Sequence, residues 1–263
     1  MPTYTATGIT LLARKFRGSQ RVVTFYTRER GKVEAVASGI GKPGSSLAGA
    51  VEPFTLARLF LATGKDLDRL SQAQALEAFP QLTASLETYG YASWIAELTA
   101  RATEPGQAAP DLFDFLLASL RALAGPTPPA RSGPEPLPGR EGLGGTAPLV
   151  AAGYALALLE LLGLAPVLEA CALCGRELEG AVGYRAEAGG LLCAECRAAG
   201  GALPVSGGAR GLLHGLRRLP PDRLGALQVR PEEAREVLGL LRKHLAYHLG
   251  LTLRSEEFLR QLP

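Results

Sequence analysis

The chain of 263 residues has little of what hydrolytic enzymes use for catalysis. It contains only five aspartates and three histidines. The stretch from Gly44 to Ala48 misses the Gly-x-Ser-x-Gly turn of serine hydrolases. His244 and His248 share one helix face but lack the glutamate of a zinc protease motif, so a surface or partly buried pair is expected. The sequence therefore predicts no catalytic residue.

Signals for secretion and membrane insertion are also missing. The N-terminus from Met1 to Thr7 has neither the basic start nor the apolar core of a secretion signal. The stretch from Ala147 to Leu168 is apolar, but prolines bracket it and Glu160 lies inside it. A membrane helix needs about 20 apolar residues, more than lie between those prolines, so we predict a buried helix, a soluble chain, a cytoplasmic location and no membrane partner.

Cysteine is scarce but regularly placed. The four cysteines fall as two pairs, Cys171-x2-Cys174 and Cys193-x2-Cys196, with a longer segment between them. Two such knuckles supply four thiolates to a tetrahedral zinc ion. Because all four positions would be filled by protein, the predicted Zn2+ site is structural, without an open position for a water or a substrate.

Two other uses of these cysteines compete with zinc. A pair of disulfides would need an oxidising compartment, for which the N-terminus gives no support. A thioredoxin-like redox centre normally has one Cys-x-x-Cys at the start of a helix, whereas this chain has two. Both interpretations are weaker than structural zinc.

Charge is segregated along the chain. Residues 1–70 carry 11 Lys and Arg against 5 Asp and Glu, a net charge of +6. Residues 71–204 have a net charge of −7, and residues 205–263 have +4. The first segment is therefore the candidate for a polyanionic partner, and the alternative is that charge is scattered for solubility.

The N-terminal segment has the pattern of short strands. The run from Arg21 to Thr27 is rich in β-branched and aromatic residues, and Gly31 suits a hairpin turn before a strand over Val33 to Ser38. Another strand is predicted over Gly8 to Arg17. These strands favour a small barrel or sandwich. The segment from Phe54 to Phe79 is ambiguous between helix and two strands.

After Pro80 the pattern becomes helical. We predict a helix that includes Leu86 and Ala96, a second over Pro110 to Leu123, an apolar helix near 149–163, and a final helix from Pro231. The Pro-rich and Gly-rich stretch from Gly125 to Pro148 is predicted to be a linker.

Basic residues in the N-terminal segment are interleaved with Phe16, Phe25 and Tyr26. Cations that follow phosphates and rings that stack on bases are the combination that binds single-stranded nucleic acid. The alternative places the rings in the core and the cations on a solvated rim. The candidate nucleic-acid contacts are Arg14, Lys15, Arg17, Arg21, Arg28, Arg30, Lys32 and Lys42.

Several stretches in order along the chain resemble the bacterial RecO family of recombination and repair mediators. They are Arg21 to Lys32, Leu47 to Gly49, Glu52 to Phe54, Glu77 to Pro80, Tyr91-Ala92, Glu97-Leu98, Cys171 to Gly175 and Leu253 to Ser255. The resemblance covers nearly the whole chain.

The resemblance implies an α+β protein with an N-terminal OB-fold β-barrel, a mainly α-helical domain and a zinc-ribbon-like insert. It makes Phe54 to Phe79 two barrel strands. It also implies binding to single- and double-stranded DNA, annealing of complementary strands, and work with RecR and single-strand-binding protein so that RecA can load.

Our domain prediction is an OB-fold at 1–80, helical parts at 81–166 and 201–263, and a zinc module at 167–200. The leading functional hypothesis is a non-enzymatic DNA-binding and annealing factor, located in the cytoplasm with the nucleoid. The alternatives are a metal-dependent hydrolase that uses carboxylates near Asp66 or Asp111, and a protein adaptor without direct DNA binding.

Overall fold

Five strands in the N-terminal part of the chain pair into a closed barrel in the order β1-β2-β3-β5-β4. The computed structural model describes residues 1–40, 45, 47–125, 146–219, 223–224, 227 and 229–261. The chain divides into two compact units, Met1–Leu120 with Leu253–Pro263, and Arg121–Thr252. The barrel strands are β1 (Thr3–Lys15), β2 (Arg21–Thr27), β3 (Gly31–Ala37), β4 (Leu56–Ala62) and β5 (Asp68–Glu77).

Alternation along the strands divides an apolar interior from an outer surface. Phe25, Val33 and Leu59 belong to a buried barrel core, whereas Arg58 and Phe60, which flank Leu59 on β4, are exposed. This is the period of two expected for strands with one buried face. The barrel interior is therefore filled by side chains.

Barrel closure depends on pairing between strands that are distant in sequence. β5 pairs parallel with β3 through Ala35 to Ala37 and antiparallel with β4, while β4 pairs antiparallel with β1. Five strands closed in this order are an OB-fold. The predicted α+β class with an N-terminal OB-fold is thus confirmed, and the ambiguous segment from Phe54 to Phe79 forms two barrel strands.

The helices of the first unit follow the barrel. A short 3-10 helix (Pro80–Thr83) leads into α2 (Leu86–Ala102), which packs on β1 and β2 and buries Trp94 completely. Ser85 caps α2 by accepting a hydrogen bond from the Glu87 N–H. This unit also contains α1 (Leu47–Ala50), most of α3 (Pro110–Ala124) and α8 (Arg254–Arg260).

The C-terminal helix α8 is attached to α2. The Glu97 carboxylate on α2 accepts from the backbone N–H groups of Arg254 and Ser255, each at 2.9 Å, and from the Ser255 hydroxyl at 2.7 Å. Gly90 lets the two helices approach closely, because a Cβ there would lie 2.7 Å from Leu259 Cδ2. α8 therefore belongs to the barrel-containing unit although it lies at the end of the chain.

The second unit combines three long helices with a small sheet. α4 (Thr146–Leu161) is almost wholly buried, as its apolar sequence predicts, and packs against α7 (Pro231–Leu249) and α6 (Gly207–Leu216). Three short strands, β6 (Val182–Arg185), β7 (Gly190–Leu192) and β8 (Leu203–Val205), pair in the order β7-β6-β8. Among the described residues, no helix combines the length and apolar character needed to cross a membrane.

The predicted linker from Gly125 to Pro148 is shorter at its C-terminal end, because α4 already begins at Thr146. Residues 126–145 of that prediction lie outside the described residues. The domain boundaries at residues 80, 166 and 200 stay predictions.

Candidate functional site

The first cysteine pair lies in a tight knuckle before β6. The Gly175 N–H donates to the Cys171 carbonyl at 2.9 Å, and the Cys171 N–H donates to the Arg176 carbonyl at 2.8 Å. Gly175 has φ +71°, which glycine adopts without a steric penalty. This turn brings the Cys171 and Cys174 side chains to the same side.

The second pair lies at the start of α5 (Ala194–Ala198). Cys193 is the residue that precedes this short helix, and Cys196 follows within its first turn. The knuckle is joined to β7 by a hydrogen bond of 2.8 Å from the Ala172 N–H to the Leu191 carbonyl. Because β7 leads directly into Cys193, this bond brings the two pairs together.

The four sulfur atoms form one cluster that can hold a metal ion. All four Sγ atoms lie within 4.8 Å of one another, and those of Cys174 and Cys193 are 3.8 Å apart. A tetrahedron with metal–sulfur bonds of about 2.3 Å, as for zinc, has edges of about 3.8 Å. All four cysteines are free thiols rather than disulfides. The donor set and its spacing fit a closed tetrahedral site.

The proton affinities within this cluster differ. Burial raises the pKa of the Cys171 thiol, but backbone N–H groups, the first from Cys193, stabilise its thiolate and lower the pKa to about 6. Hydrogen bonds with the sulfurs of Cys174 and Cys193 raise the pKa of Cys196 to about 12. Crowded sulfurs cannot all carry a negative charge unless a cation lies among them, which again fits a metal.

The basic residues proposed from the sequence fall into two groups at opposite ends of β2. Arg14, Lys15, Arg17 and Arg21 surround the β1–β2 turn, which we call the rim. Arg28, Arg30 and Lys32 belong to the β2–β3 hairpin. β2 runs from Arg21 to Thr27, so the two groups are about 20 Å apart along the strand. Lys42 lies outside the described residues.

At the rim, cations lie close together in an exposed turn. Lys15 is directly opposite Arg21 in the ladder, and the Phe16 N–H donates to the Gln20 carbonyl at 3.0 Å to close the turn. The Arg17 guanidinium lies over the Phe16 ring at 5.2 Å. Among the described carboxylates only that of Glu52 forms an ion pair with a rim cation, with an oxygen 3.9 Å from Arg21.

The side chains of the hairpin cations contact other residues of the first unit. Arg28 forms an ion pair with Asp114 of α3. Arg30 stacks over the Tyr4 ring at 3.7 Å, and Lys32 donates from Nζ to the Ala100 carbonyl at 2.8 Å. These three residues therefore have structural partners that the rim residues Arg14 and Lys15 lack among the described residues.

Of the interleaved aromatic residues, only Phe16 is exposed. Phe25 belongs to the barrel core and Tyr26 is buried on the opposite side of β2. Burial raises the pKa of Tyr26 to about 12. The alternative interpretation, in which the rings are core residues, is therefore correct for Phe25 and Tyr26, because both faces of β2 are covered.

Sequence reasoning missed two exposed cations on the barrel, Arg58 on β4 and Arg69 on β5. Neither has an ion-pair partner among the described residues. The alternation of Arg58, Phe60 and Ala62 with buried Ala57, Leu59 and Leu61 was the available signal. It was obscured by the helical composition of the segment.

The carboxylates and histidines considered for catalysis do not gather into a site. Asp66 is exposed between β4 and β5, and Asp111 is exposed in the first turn of α3. Asp68, close to Asp66 in sequence, accepts hydrogen bonds from the Tyr4 hydroxyl and the Gly64 N–H. His244 is buried, with Nδ1 2.7 Å from the Tyr184 hydroxyl and Nε2 2.8 Å from the Leu164 carbonyl. Within the described ranges, the cysteines are the only cluster of three or more His, Cys, Asp or Glu residues that could hold a metal.

Comparison with known families covers both halves of the chain. The family model described as Recombination protein O N terminal matches residues 1–79, which contain the barrel. The model described as Recombination protein O C terminal matches residues 83–132 and 141–257. The second match includes both cysteine pairs.

Curated relatives align with this chain over nearly its full length. A protein of Pelotomaculum thermopropionicum named DNA repair protein RecO is 37% identical over 260 residues, which are 98% of this chain and 94% of that protein. A protein of the same name from Desulforudis audaxviator is 34% identical over 100% of this chain and 98% of that protein. Another from Moorella thermoacetica is 34% identical over 98% of this chain and 91% of that protein. The order of elements, the cysteine cluster and these matches together show that the chain belongs to the RecO family.

Proposed function

We propose that this protein is a non-enzymatic factor of DNA repair and recombination that binds single- and double-stranded DNA and anneals complementary strands. The observation that carries the proposal is the rim, where Arg14, Lys15, Arg17 and Arg21 lie in and beside one exposed turn of an OB-fold. A compact group of cations attracts polyanionic backbones without sequence preference.

Annealing needs neither a covalent intermediate nor a catalytic group. Each phosphate that pairs with a rim cation releases condensed counterions, which favours binding and makes the affinity fall with salt. Two strands that are both held by their backbones repel each other less, and their bases stay free to pair. No bond is made or broken in this reaction.

Family membership supports a proposal about the partners of this chain. The relatives are named DNA repair proteins. We propose that the chain acts in the cytoplasm at the nucleoid with RecR and single-strand-binding protein, and that it assists loading of RecA on single-stranded DNA.

The metal in this proposal is structural zinc held by Cys171, Cys174, Cys193 and Cys196. Four thiolates fill a tetrahedral zinc ion, so no position is open to activate water. The metal's contribution is to join the knuckle, β7 and α5 in the second unit. We propose no catalytic role for it.

Fluorescence anisotropy with labelled single strands and duplexes, measured across a range of salt, tests this function. Wild-type protein is expected to bind both with an affinity that falls steeply as salt rises, and to speed pairing of complementary strands. Replacing Arg14, Lys15, Arg17 and Arg21 by Ala together is expected to weaken both activities and to flatten the salt dependence. Binding that is insensitive to salt would contradict the proposal.

The same samples test the non-enzymatic character. DNA incubated with the protein and Mg²⁺ or Mn²⁺ is expected to stay intact on denaturing gels. Metal-dependent cleavage that disappears in Asp66→Ala or Asp111→Ala would contradict it.

A further inference from the structure

The outer face of β4 carries an exposed aromatic ring among polar and basic side chains. Phe60 is directly opposite Thr5 of β1 on one side and Gln72 of β5 on the other. Its side chain is 39% exposed, although phenylalanine is usually buried. We call this surface the β4 platform. Its residues are Thr5, Arg58, Phe60, Arg69, Gln72 and Gln74.

The register arranges these residues in three rows across the sheet. Arg58 pairs with Gln74, Phe60 with Gln72, and Ala62 with Arg69. A shallow groove of about 400 Å³ runs over Thr5, Arg58, Phe60 and Gln72. From the strand rise and spacing, the Cα atoms of Arg58 and Arg69 are about 14 Å apart with Phe60 between them.

The charge of the platform has one sign. Two of its six residues are arginines and none is acidic. Neither guanidinium has a described carboxylate within ion-pair distance. Two acids border the platform, and both accept hydrogen bonds elsewhere: Asp68 from the Tyr4 hydroxyl and the Gly64 N–H, and Glu29 from the Thr7 N–H. The Thr7 carbonyl accepts from the Arg28 N–H, so the backbone N–H and carbonyl of Thr7 both point toward the β2–β3 hairpin. Glu29 therefore lies on the side of β1 away from β4.

We propose that the β4 platform is a second nucleic-acid contact that binds single strands by stacking a base on Phe60 while Arg58 and Arg69 hold the flanking phosphates. The inference rests on the proposed function and adds to it a means of distinguishing single strands from duplexes. An unpaired base can reach the ring, whereas the bases of a duplex are already stacked on one another. Gln72, Gln74 and Thr5 offer donors and acceptors around the ring.

The features of the platform fit nucleic acid better than a protein partner. A protein interface usually has a larger apolar centre, and here one ring is surrounded by amides, a hydroxyl and guanidinium groups. Two arginines without described carboxylate partners, one on either side of a ring, match the alternation of phosphate and base. An acidic peptide is the competing occupant, and polyglutamate is the probe for it.

Phe60→Leu tests stacking, because leucine keeps the apolar character and removes the ring. The dissociation constant for a labelled oligothymidylate is expected to rise about tenfold, with unchanged affinity for a duplex and an unchanged salt slope. Tyr247→Leu, which removes an exposed ring elsewhere, is the control and is expected to bind like wild type. Equal effects of Phe60→Leu on single strands and duplexes, or no effect, would overturn the proposal.

A direct readout comes from Phe60→Trp. The native chain has one tryptophan, Trp94, which is fully buried. Oligothymidylate is expected to quench the fluorescence of the introduced indole by stacking, whereas neither duplex nor polyglutamate does so. Quenching by polyglutamate and not by oligothymidylate would overturn the proposal in favour of an acidic peptide.

The outcomes separate this inference from the function on which it rests. If the rim variant loses DNA binding while Phe60→Leu and Arg58→Ala with Arg69→Ala bind single strands like wild type, the platform proposal fails and the proposed function stands. If the wild-type protein binds no DNA at any salt concentration, both fail.

Discussion

Lys15 and Arg21 lie directly opposite each other across the β1–β2 ladder. Like charges at paired positions destabilise two strands by repulsion. The nearest described carboxylate is that of Glu52, 3.9 Å from Arg21, and both partners of that pair are largely exposed. One exposed carboxylate offsets only part of the charge of Lys15 and Arg21, and such an excess of positive charge is expected where the charge serves binding.

The first prediction follows from this repulsion. Lys15→Gln with Arg21→Gln is expected to raise the free energy of unfolding by about 0.5 kcal/mol or leave it unchanged, because the opposed charges are gone. DNA affinity is expected to fall, and the slope of log K against log salt to become less negative by about 0.9 for each duplex phosphate that is no longer neutralised. Thermal unfolding and anisotropy titrations measure the two effects.

Arg28→Gln is the matched control for the rim variant. It breaks the exposed ion pair with Asp114 at the other end of β2, so it is expected to change stability little and to leave DNA affinity as in wild type. A larger loss of DNA binding in Arg28→Gln than in the rim variant would move the binding site to the hairpin.

The second prediction concerns the metal. Purified protein is expected to contain about one zinc ion per chain, and Cys171→Ser to contain none, because structural sites need all four ligands. The second unit is expected to lose stability in the variant and on treatment with a strong chelator, while DNA binding by the barrel is retained in part. Metal analysis and circular dichroism provide the measurements.

Ala194→Ser, next to Cys193 and exposed, is the control for a hydroxyl introduced near the cluster. It is expected to keep its metal and its melting temperature. Carefully purified wild-type protein without zinc would refute the assignment.

The third prediction is a loss of stability on mild acidification caused by His244. Burial lowers the pKa of His244, and the nearby His248 adds to this effect, although the Leu164 carbonyl opposes it. The unfolded chain therefore takes up a proton near pH 6.5, before the folded chain does. The stabilising contribution is present above that pH and is lost as the pH falls toward the lower pKa of the folded state.

Chemical unfolding of the full chain at pH 7.5 and pH 5 measures this effect. His244→Gln is expected to be less stable than wild type at pH 7.5, since the Tyr184 hydroxyl loses its partner, and to lose less stability between the two pH values. An identical pH dependence in His244→Gln would show that other groups cause the loss.

The fourth prediction concerns the attachment of α8. Burial raises the pKa of Glu97, but hydrogen bonds from Ser255 and Arg254 outweigh it and lower the pKa overall. Glu97→Gln is expected to destabilise the first unit by about 1–2 kcal/mol, since it replaces a charged acceptor at the start of a helix. Hydrogen exchange of the α8 amides is expected to speed up.

The pH dependence of this attachment has a definite sign. Because the folded pKa of Glu97 is below its ordinary value, the stabilisation is present at neutral pH and is lost as acid protonates the folded carboxylate. Glu104→Gln, an exposed acid after α2, is expected to change neither stability nor exchange. Unchanged exchange of α8 in Glu97→Gln would refute the attachment.

Spacing alone predicted the cysteine cluster, because each Cys-x2-Cys knuckle is a local structure that a few neighbouring residues specify. The same holds for the helix that begins at Pro231 and for the hairpin at Gly31, whose φ is +65°. Each of these features depends on interactions between residues close in sequence. In such cases the local preference and the final fold agree.

The segment from Phe54 to Phe79 could not be assigned from its own residues. Its Leu and Ala content favours a helix, and its strands form because β5 completes the ring between β3 and β4. Those pairings join residues more than thirty positions apart in the case of Ala35 and Asp68. Local propensity was overridden by burial of the barrel core.

The sequence by itself determined the early strands, the excess of positive charge near the N-terminus and the four cysteines that could hold a metal, because composition and short-range spacing specify these. Only the tertiary structure decided which of these cations have partners within the chain. The extended strand β2 separates Arg21 from Arg28 by about 20 Å, and the hairpin cations are taken by Asp114, Tyr4 and Ala100. Barrel closure also turns Arg58, Phe60 and Arg69 outward on one face, and no local pattern specifies which strands become neighbours.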